Sequence, residues 1–203
     1  MVKGTNGYEN VVQGFIETTQ SILFEDLHKD FLPFIPKGKA HIMDVGAGIG
    51  RDAYQLTKMG HQVVAVEPLK EFREAGQKLY NSPDLQWIDD SLPMLKKLSD
   101  YPHPFDFVLC SGVWHHLDET EQNQAMHQIS RLLKPAGIFA LSLRNGPAGA
   151  GIHVFAINVH QMLEQAINCN LTPILTLENQ PSMIKHKEGV KWARLVLQKK
   201  EHL

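Results

Sequence analysis

Short apolar runs alternate with amphipathic segments along the chain from residue 41 onward. The runs favour β-branched and aromatic residues and predict seven strands, at 41–45, 62–67, 85–89, 105–110, 137–143, 173–178 and 192–198. Helical periodicity predicts helices at 51–59, 69–80, 120–134 and 159–168, with a weaker pattern at 92–98. Such alternation is typical of right-handed βαβ units, so the sequence predicts an open, largely parallel α/β sheet. No helical pattern separates the last two runs, which are predicted to pair antiparallel.

The segment before the first strand has a different pattern, because residues 11–35 carry apolar side chains at roughly helical intervals. This spacing predicts one or two amphipathic helices, ended by Pro33, Pro36 and Gly38. Four large apolar residues here are expected to lie outside the sheet interior, namely Phe15, Ile16, Phe24 and Phe31. We therefore predict that residues 1–38 form a helical cover over the crevice at the carboxyl ends of the strands. Residues 39–203 would form a Rossmann-like domain, giving one domain overall.

Composition narrows the class of protein. The 203 residues carry 20 Lys and Arg against 22 Asp and Glu, with no basic tail, so nucleic acid is not expected as a partner. Cys110 and Cys169 cannot form a disulfide framework, and no Cys/His spacing predicts a metal site. No apolar run approaches the length of a membrane span or a signal-peptide core. These features predict a cytoplasmic protein with no membrane partner.

A glycine-rich turn follows the first predicted strand, in the sequence IMDVGAGIGRDA at 42–53. Gly46, Gly48 and Gly50 can adopt positive φ and let a ligand approach the backbone closely. Asp44 precedes them at the strand end, where a purely structural turn has no need of a carboxylate. Glu67 ends the second strand, where an acidic side chain in Rossmann-type sheets accepts hydrogen bonds from ribose hydroxyls. Together these residues predict a ligand that contains adenosine.

The third small residue of a dinucleotide fingerprint is missing here. Counted from Gly46 and Gly48, its place is held by Arg51, which argues against NAD. No Gly-Lys-Ser/Thr sequence follows the glycines, which excludes a P-loop. Two alternatives stay open beside a catalytic adenosine-cofactor site: an NAD(P)-dependent oxidoreductase, and a module that binds the cofactor without catalysis.

The glycine turn resembles motif I, hhDhGxGxG, of the class I S-adenosylmethionine-dependent methyltransferases. Four further motifs are similar to those of the family and occur in its order: VVAVEP (63–68), QWIDDSLP (86–93), FDFVLCSGVWHHL (105–117) and RLLKPAGIFALSL (131–143). In the last of these, Ala136 replaces the first glycine of the family's pattern. The resemblance implies a seven-stranded sheet of order 3-2-1-4-5-7-6 with strand 7 antiparallel and helices on both faces. It also implies methyl transfer from S-adenosylmethionine, with S-adenosylhomocysteine as the product.

The resemblance also implies roles for individual residues. Glu67 would hold the ribose, and the backbone of Gly46 to Gly48 would line the methionyl part. Asp90 would reach the adenine amino group, with Asp89 as its replacement if the register slips by one. The complete predicted cofactor set is Asp44, Gly46, Ala47, Gly48, Arg51, Asp52, Glu67, Pro68, Asp89, Asp90, Ser91, Cys110, Ser111 and Val113. Cys110 is not expected to be a nucleophile, because its neighbours in sequence include no basic partner.

Candidate residues for the acceptor side follow strands 4 and 5. His116 occupies the histidine of the family's "hHL" pattern and is the candidate general base, with His115 second; the alternative is a packing role for both. The glycine-rich loop at 144–153 carries Arg144, Asn145 and His153, and it would either border the acceptor pocket or serve as a flexible linker. The chain lacks the Asn/Asp-Pro-Pro-aromatic and Pro-Cys motifs of DNA methylases. A small-molecule acceptor is therefore favoured, with a protein side chain second.

Overall fold

A computed structural model describes residues 2–101, 104–183, 187 and 189–201. The strands in these ranges form one sheet, in the order β3-β2-β1-β4-β5-β7-β6. Their bounds are β1 (His41–Val45), β2 (Gln62–Val66), β3 (Leu85–Ile88), β4 (Phe105–Ser111), β5 (Leu133–Asn145), β6 (Leu171–Pro181) and β7 (Lys191–Lys199). The strands β1 to β5 pair in parallel, whereas β7 runs antiparallel to β5 and β6. The predicted fold, strand order and antiparallel final pair are confirmed.

Helices cover both faces of this sheet, with bounds α1 (Val12–Gln20), α2 (Phe24–Leu27), α3 (Arg51–Lys58), α4 (Lys70–Leu79), α5 (Glu119–Leu132) and α6 (Val159–Asn168). The start of α5 is fixed by a capping box, in which Asp118 accepts from the backbone of Glu121 and the Glu121 side chain accepts in return. Among the described residues, no helix has the length and apolar character needed to cross a bilayer.

Two predicted elements differ clearly from the structure. The pattern at 92–98 forms only a 3₁₀ turn at Lys96–Leu98, because Leu95 adopts a left-handed φ of 45° that interrupts a helical backbone. The strand predicted at 137–143 begins earlier, at Leu133, directly after α5. Ala136 has a φ of 59° within this early stretch, so an L-residue holds the left-handed position where the family's pattern has glycine.

Alternate residues of the central strands bury opposite faces of the sheet. Met43 packs into a core with α5 and α6, and its neighbour Ile42 packs into the opposite core with α3. Phe24 and Phe31 lie in this second core, so the expectation that they lie outside the sheet interior is wrong. The N-terminal segment covers sheet surface that α3 leaves open.

The other two N-terminal residues, Phe15 and Ile16, lie in a separate cluster with Phe72 of α4. The rings of Phe15 and Phe72 stack with their centres 4.5 Å apart. The segment 1–38 therefore divides between packing on the sheet and packing near the crevice, and its description as a separate cover stays a prediction.

Candidate active site

A cavity of about 930 Å³ lies at the carboxyl ends of the parallel strands. Its walls come from the glycine turn after β1, the turns after β2, β3 and β4, the loop after β5, the first residues of β7 and the N-terminal segment. This is the edge at which open α/β sheets bind ligands, and the volume lies near the top of the range of about 300–1,000 Å³ for small-molecule sites.

The turn after β1 requires glycine at two positions that face the cavity. Gly46 has a φ of 69°, and a Cβ atom there would lie 2.2 Å from Cγ2 of Val113. Gly48 has a φ of 56°, and its Cβ would lie 3.2 Å from the Phe15 ring. The amides of Gly46 and Ala47 donate to the Val66 carbonyl at 2.8 and 3.0 Å. The turn is therefore held against β2, and at its glycines the backbone faces the cavity without a side chain in front of it.

Glu67 follows β2 and faces the same cavity with only 5% of its surface exposed. Its two carboxylate oxygens accept from the backbone amides of Gly48 (2.9 Å) and Leu69 (2.8 Å). Burial raises the pKa of Glu67 to about 7, against the opposing effect of these two hydrogen bonds. Each oxygen can accept a further hydrogen bond, so the residue can still bind hydroxyl groups.

Asp44 lies on β1 next to this turn but is not among the cavity-lining residues. It is buried, and its Oδ2 atom has no hydrogen-bond partner among the described residues. Burial, together with the nearby charge of Asp52, raises its pKa well above the usual range. Its assignment to the predicted cofactor set stays a prediction.

Arg51 and Asp52 open α3 and form one buried cluster with His28. Asp52 accepts from Arg51 Nε at 2.7 Å and pairs with His28 Nε2 at 2.8 Å. Burial opposes ionisation of Asp52, but the charges and hydrogen bonds of His28 and Arg51 outweigh it and lower the pKa. The Arg51 guanidinium also donates to the carbonyls of Thr19, in the last turn of α1, and of Ile22, just after it. The cluster therefore joins the N-terminal segment to the glycine turn.

The turn after β3 separates the two predicted adenine-binding carboxylates. Asp90 lines the cavity with Ser91, and its oxygens accept from the amides of Ser91 (2.8 Å) and Lys97 (2.6 Å). The Asp89 side chain is 56% exposed and pairs with Arg73 at 3.1 Å, outside the cavity lining. The geometry thus favours Asp90 over Asp89. Pro68, after β2, also lines the cavity.

The end of β4 contributes backbone and hydroxyl groups to the cavity. Ser111 and Val113 line it, and Ser142 of β5 accepts from the Gly112 amide at 2.9 Å. Cys110 does not belong to this set, because its side chain lies in the hydrophobic core. Burial raises the pKa of the Cys110 thiol, so it has no thiolate character at neutral pH.

His116 lines the cavity, and both of its ring nitrogens are hydrogen-bonded. Nδ1 lies 2.7 Å from the His153 carbonyl, which can only accept, so Nδ1 carries the proton. Nε2 is therefore an acceptor, and Tyr8 donates its hydroxyl to it over 3.2 Å. Burial lowers the pKa of His116, so the imidazole is neutral at neutral pH. His115 is more buried still, and burial together with His116 lowers its pKa to about 2.

The loop after β5 is anchored at its base and packed against His116. The Asn145 amide bridges both backbone groups of Ile157, at 2.9 and 2.7 Å. A Cβ atom at Gly151 would lie 2.6 Å from both the His116 and the Tyr8 rings. The Ile152 amide donates to the Asn6 carbonyl at 3.1 Å. The loop borders the cavity in this structure, which agrees with the predicted role of a pocket border and not with that of a flexible linker.

The cavity residues that sequence analysis did not single out include Tyr8, Ser142, Trp192 and Arg194. No local pattern marked Tyr8, which meets His116 from 108 positions away. Arg194 did leave a signal, because it is a charged residue in the middle of the apolar run WARLVLQ at 192–198. A buried arginine in such a strand indicates a polar partner or a ligand.

Comparison with known proteins agrees with this geometry. The sequence model of a family described as a methyltransferase domain matches residues 43–141, the part that carries the glycine turn and the strand-4 histidines. An uncharacterized methyltransferase from Alkaliphilus oremlandii is 29% identical over 136 residues, covering 65% of this chain and 55% of that protein. The chain thus spans little more than half the length of the curated relatives it matches.

Solved structures share the fold. A TehB-like S-adenosylmethionine-dependent methyltransferase from Corynebacterium glutamicum superposes with a TM-score of 0.70 at 21% identity, covering 95% of this chain and 97% of that one. The Burkholderia thailandensis 1,6-didemethyltoxoflavin-N1-methyltransferase, solved with 1,6-didemethyltoxoflavin and S-adenosylhomocysteine, gives 0.63 at 20% identity, with 87% and 76% covered. Both likenesses concern the fold.

Proposed function

We propose that the chain is a class I S-adenosylmethionine-dependent methyltransferase and that it transfers a methyl group from S-adenosylmethionine to a small molecule. The observation that carries the proposal is the single cavity shared by Glu67 and the glycine turn on one side and by His116 on the other. A methyltransferase must place donor and acceptor side by side in a space closed to water.

The residues present fit the cofactor. The backbone of the glycine turn is bare toward the cavity, and Glu67 offers two carboxylate oxygens with free acceptor capacity. Glu67 would bind the ribose hydroxyls, and Asp90 with Ser91 would border the adenine. S-adenosylmethionine, when bound, supplies a methyl group on a positively charged sulfonium. The Glu67 carboxylate, which lines the cavity beside the turn, would favour that charge.

The size and closure of the cavity support a small acceptor over a protein side chain. The N-terminal segment and the loop after β5 join across its acceptor side through the bond from Ile152 to Asn6. Several rings border that side, including Tyr8 and Trp192. Such an enclosed, partly aromatic space is typical of small-molecule sites. The predicted cytoplasmic setting and the predicted absence of a nucleic-acid partner stay predictions.

His116 remains the candidate base, and the structure suggests how it acts. Its accepting Nε2 atom is occupied by the Tyr8 hydroxyl, so an acceptor would meet the Tyr8 oxygen first. The acceptor's proton would pass to that oxygen as the Tyr8 proton moves to Nε2, leaving the acceptor free to take the methyl group. His115 would serve as packing support, because its low pKa makes it a poor base.

Calorimetry with S-adenosylhomocysteine and with NAD(P)H tests cofactor choice, and we expect only the former to bind. Glu67→Ala should weaken that binding by about 1.5–3 kcal/mol, the free energy of hydrogen bonds to a charged group. Labelled S-adenosylmethionine incubated with a metabolite library then tests turnover. Binding without transfer to any acceptor would favour the catalytically silent alternative, and binding of NAD(P)H alone would overturn the proposal.

A further inference from the structure

The acceptor side of the cavity carries two arginines on one face of the sheet. In the β5–β7 pair, Ser142 lies opposite Arg194 and Arg144 lies opposite Trp192. Because paired residues in an antiparallel ladder point to the same side, and residues two apart do so as well, all four share one face. All four also line the cavity. The end of the sheet beyond the glycine turn is therefore basic.

Arg194 is 6% exposed, and its Nη1 atom has no hydrogen-bond partner among the residues the structure describes. Its guanidinium lies over the rings of Phe31 and Trp192, at 5.7 and 5.6 Å. Burial lowers its pKa, and Asp30 is the acidic residue whose charge acts in the other direction. The two are not within ion-pair distance, since neither belongs to the salt bridges of the described chain.

Arg144 is 7% exposed and is likewise absent from those salt bridges. Its guanidinium donates to the carbonyls of Gly146 and Pro147, which orient the group without neutralising it. Among the described residues, neither guanidinium is paired with an opposite charge. A buried charge in that state is unfavourable, and two such groups on one wall reinforce the penalty. An anion bound between them would remove it.

We infer that Arg144 and Arg194 form an anion subsite, and that the acceptor carries a carboxylate or another small oxyanion. The inference rests on the proposed function in one respect, since it takes the basic end of the cavity as the acceptor's. The two ends then match their ligands in charge, because the donor end holds the Glu67 carboxylate and an arginine already paired with Asp52, whereas the acceptor end holds the guanidiniums of Arg144 and Arg194. Trp192, which lines the cavity beside Arg194, adds apolar surface there, which suits an anion borne on a carbon skeleton.

The test compares benzoate with benzamide, which has nearly the same shape and no charge. Each is titrated into the complex with S-adenosylhomocysteine at low ionic strength, by calorimetry and by tryptophan fluorescence. We expect benzoate to bind at least tenfold more tightly than benzamide. Inorganic phosphate, titrated in parallel, separates a preference for phosphate groups from one for carboxylates.

Arg194→Gln should abolish the preference for the anion, and Arg194→Lys should retain part of it, because lysine keeps the charge without the planar donor fork. Arg131→Gln, which removes an exposed arginine on α5, is the matched control and should change nothing. Affinity for S-adenosylhomocysteine should be the same in all four proteins.

The outcomes separate this inference from the proposed function. Normal binding of S-adenosylhomocysteine with equal affinity for benzoate and benzamide, and no binding of phosphate, overturns the anion subsite alone. Failure of the wild-type protein to bind S-adenosylhomocysteine overturns the proposed function. If Arg194→Gln does not fold, the wild-type preference and its partial retention in Arg194→Lys decide the question.

Discussion

The two ends of the cavity are built in different ways. The end beside β1 and β2 presents mainly backbone, shaped by glycines with positive φ, together with the Glu67 carboxylate and the ion pair of Arg51 and Asp52. The end beside β5 and β7 presents side chains, among them Arg144 and Arg194, and it is closed by the N-terminal segment. The first end suits a ligand that remains the same during evolution. At the second end, substitution of single side chains can change which ligand binds.

The electrostatics of the two ends differ as well. Burial raises the pKa of Glu67 in the cavity wall and of Asp44 behind it, so these two carboxyl groups ionise less readily than exposed ones. The arginines at the second end keep their charge even when buried. Ligand binding should therefore change protonation at the first end and leave it unchanged at the second.

The largest effect is expected where the two ends meet, at the pair Tyr8 and His116. His116→Ala should reduce turnover about 10²- to 10⁴-fold if it acts as a base, and Tyr8→Phe should do the same if the proton passes through the hydroxyl. The double variant should be no slower than the slower single variant, because residues that act as a unit are not additive. Initial rates at saturating S-adenosylmethionine measure this.

His127→Ala, an exposed histidine on α5, is the control for these variants. The pH profile adds a second check. Because burial lowers the pKa of His116, the wild-type rate should remain flat down to pH 6.5, where an ordinary histidine would already be half protonated. Near-normal rates in both single variants would leave positioning alone as the source of catalysis.

The next effect concerns the first end and is a test of Glu67. Glu67→Gln should weaken S-adenosylhomocysteine binding about 10- to 150-fold at pH 8, through loss of hydrogen bonds to a charged group. Cofactor hydroxyl groups favour the carboxylate, so binding should release a proton near the pKa of about 7. Wild-type affinity should accordingly fall as the pH is lowered from 8 to 6, by up to about tenfold.

The pH dependence is the sharper half of that test. In Glu67→Gln the affinity should be independent of pH over the same interval, because the titrating group is gone. A wild-type affinity that stays level from pH 6 to 8 would show that the carboxyl group does not change protonation on binding, and the contrast between the two ends would then fail.

A smaller effect tests the hydrogen bonds by which Arg51, beside the glycine turn, holds the N-terminal segment. Arg51→Gln removes the charged donor to the Thr19 and Ile22 carbonyls, so amide exchange in α1 should rise on the order of tenfold or more. Lys58→Gln, on the exposed side of α3, is the control. In the wild-type protein, S-adenosylhomocysteine should slow exchange across residues 8–31, and no change there would make the segment a static packing element.

The smallest effect lies far from both ends, at Ala136. Its φ of 59° is unfavourable for an L-residue, so Ala136→Gly should raise the free energy of unfolding by up to about 1 kcal/mol, partly offset by the greater freedom of glycine in the unfolded chain. Thermal unfolding should shift upward by a few degrees at most. Binding of S-adenosylhomocysteine and of benzoate should not change, and a change would indicate coupling through β5.

The first end could be predicted from the sequence because its parts are local. Parallel strands bring their carboxyl ends to one edge, so a glycine turn after β1 and an acid after β2 must meet there. The amide of Gly48 and the carboxylate of Glu67 do meet, at 2.9 Å. The Cys110 side chain lies in the core and not in the cavity lining because strand residues alternate between faces, and a motif match does not say which face a side chain takes.

The second end could not be predicted in the same way, because its residues come from distant segments. Tyr8 meets His116 only because the N-terminal segment folds back over the sheet, and nothing near Tyr8 in the sequence encodes that path. Phe24 and Phe31 were placed outside the sheet interior for a related reason, since periodicity shows that a helix has an apolar face but not which surface it covers.

The two hydrogen bonds between the Asn145 side chain and the Ile157 backbone have an evolutionary consequence. The Asn145 side-chain amide binds both the N–H and the carbonyl of Ile157, so the residues between Asn145 and Ile157 form a loop whose ends are fixed whatever its sequence. Insertions, deletions or complete replacement of that loop would leave β5 and α6 in place, since loops with fixed ends tolerate changes in length at small energetic cost. A lineage could therefore acquire a new substrate by exchanging this one segment, and a chimaera that carries a foreign loop between the two residues should fold and still bind S-adenosylhomocysteine.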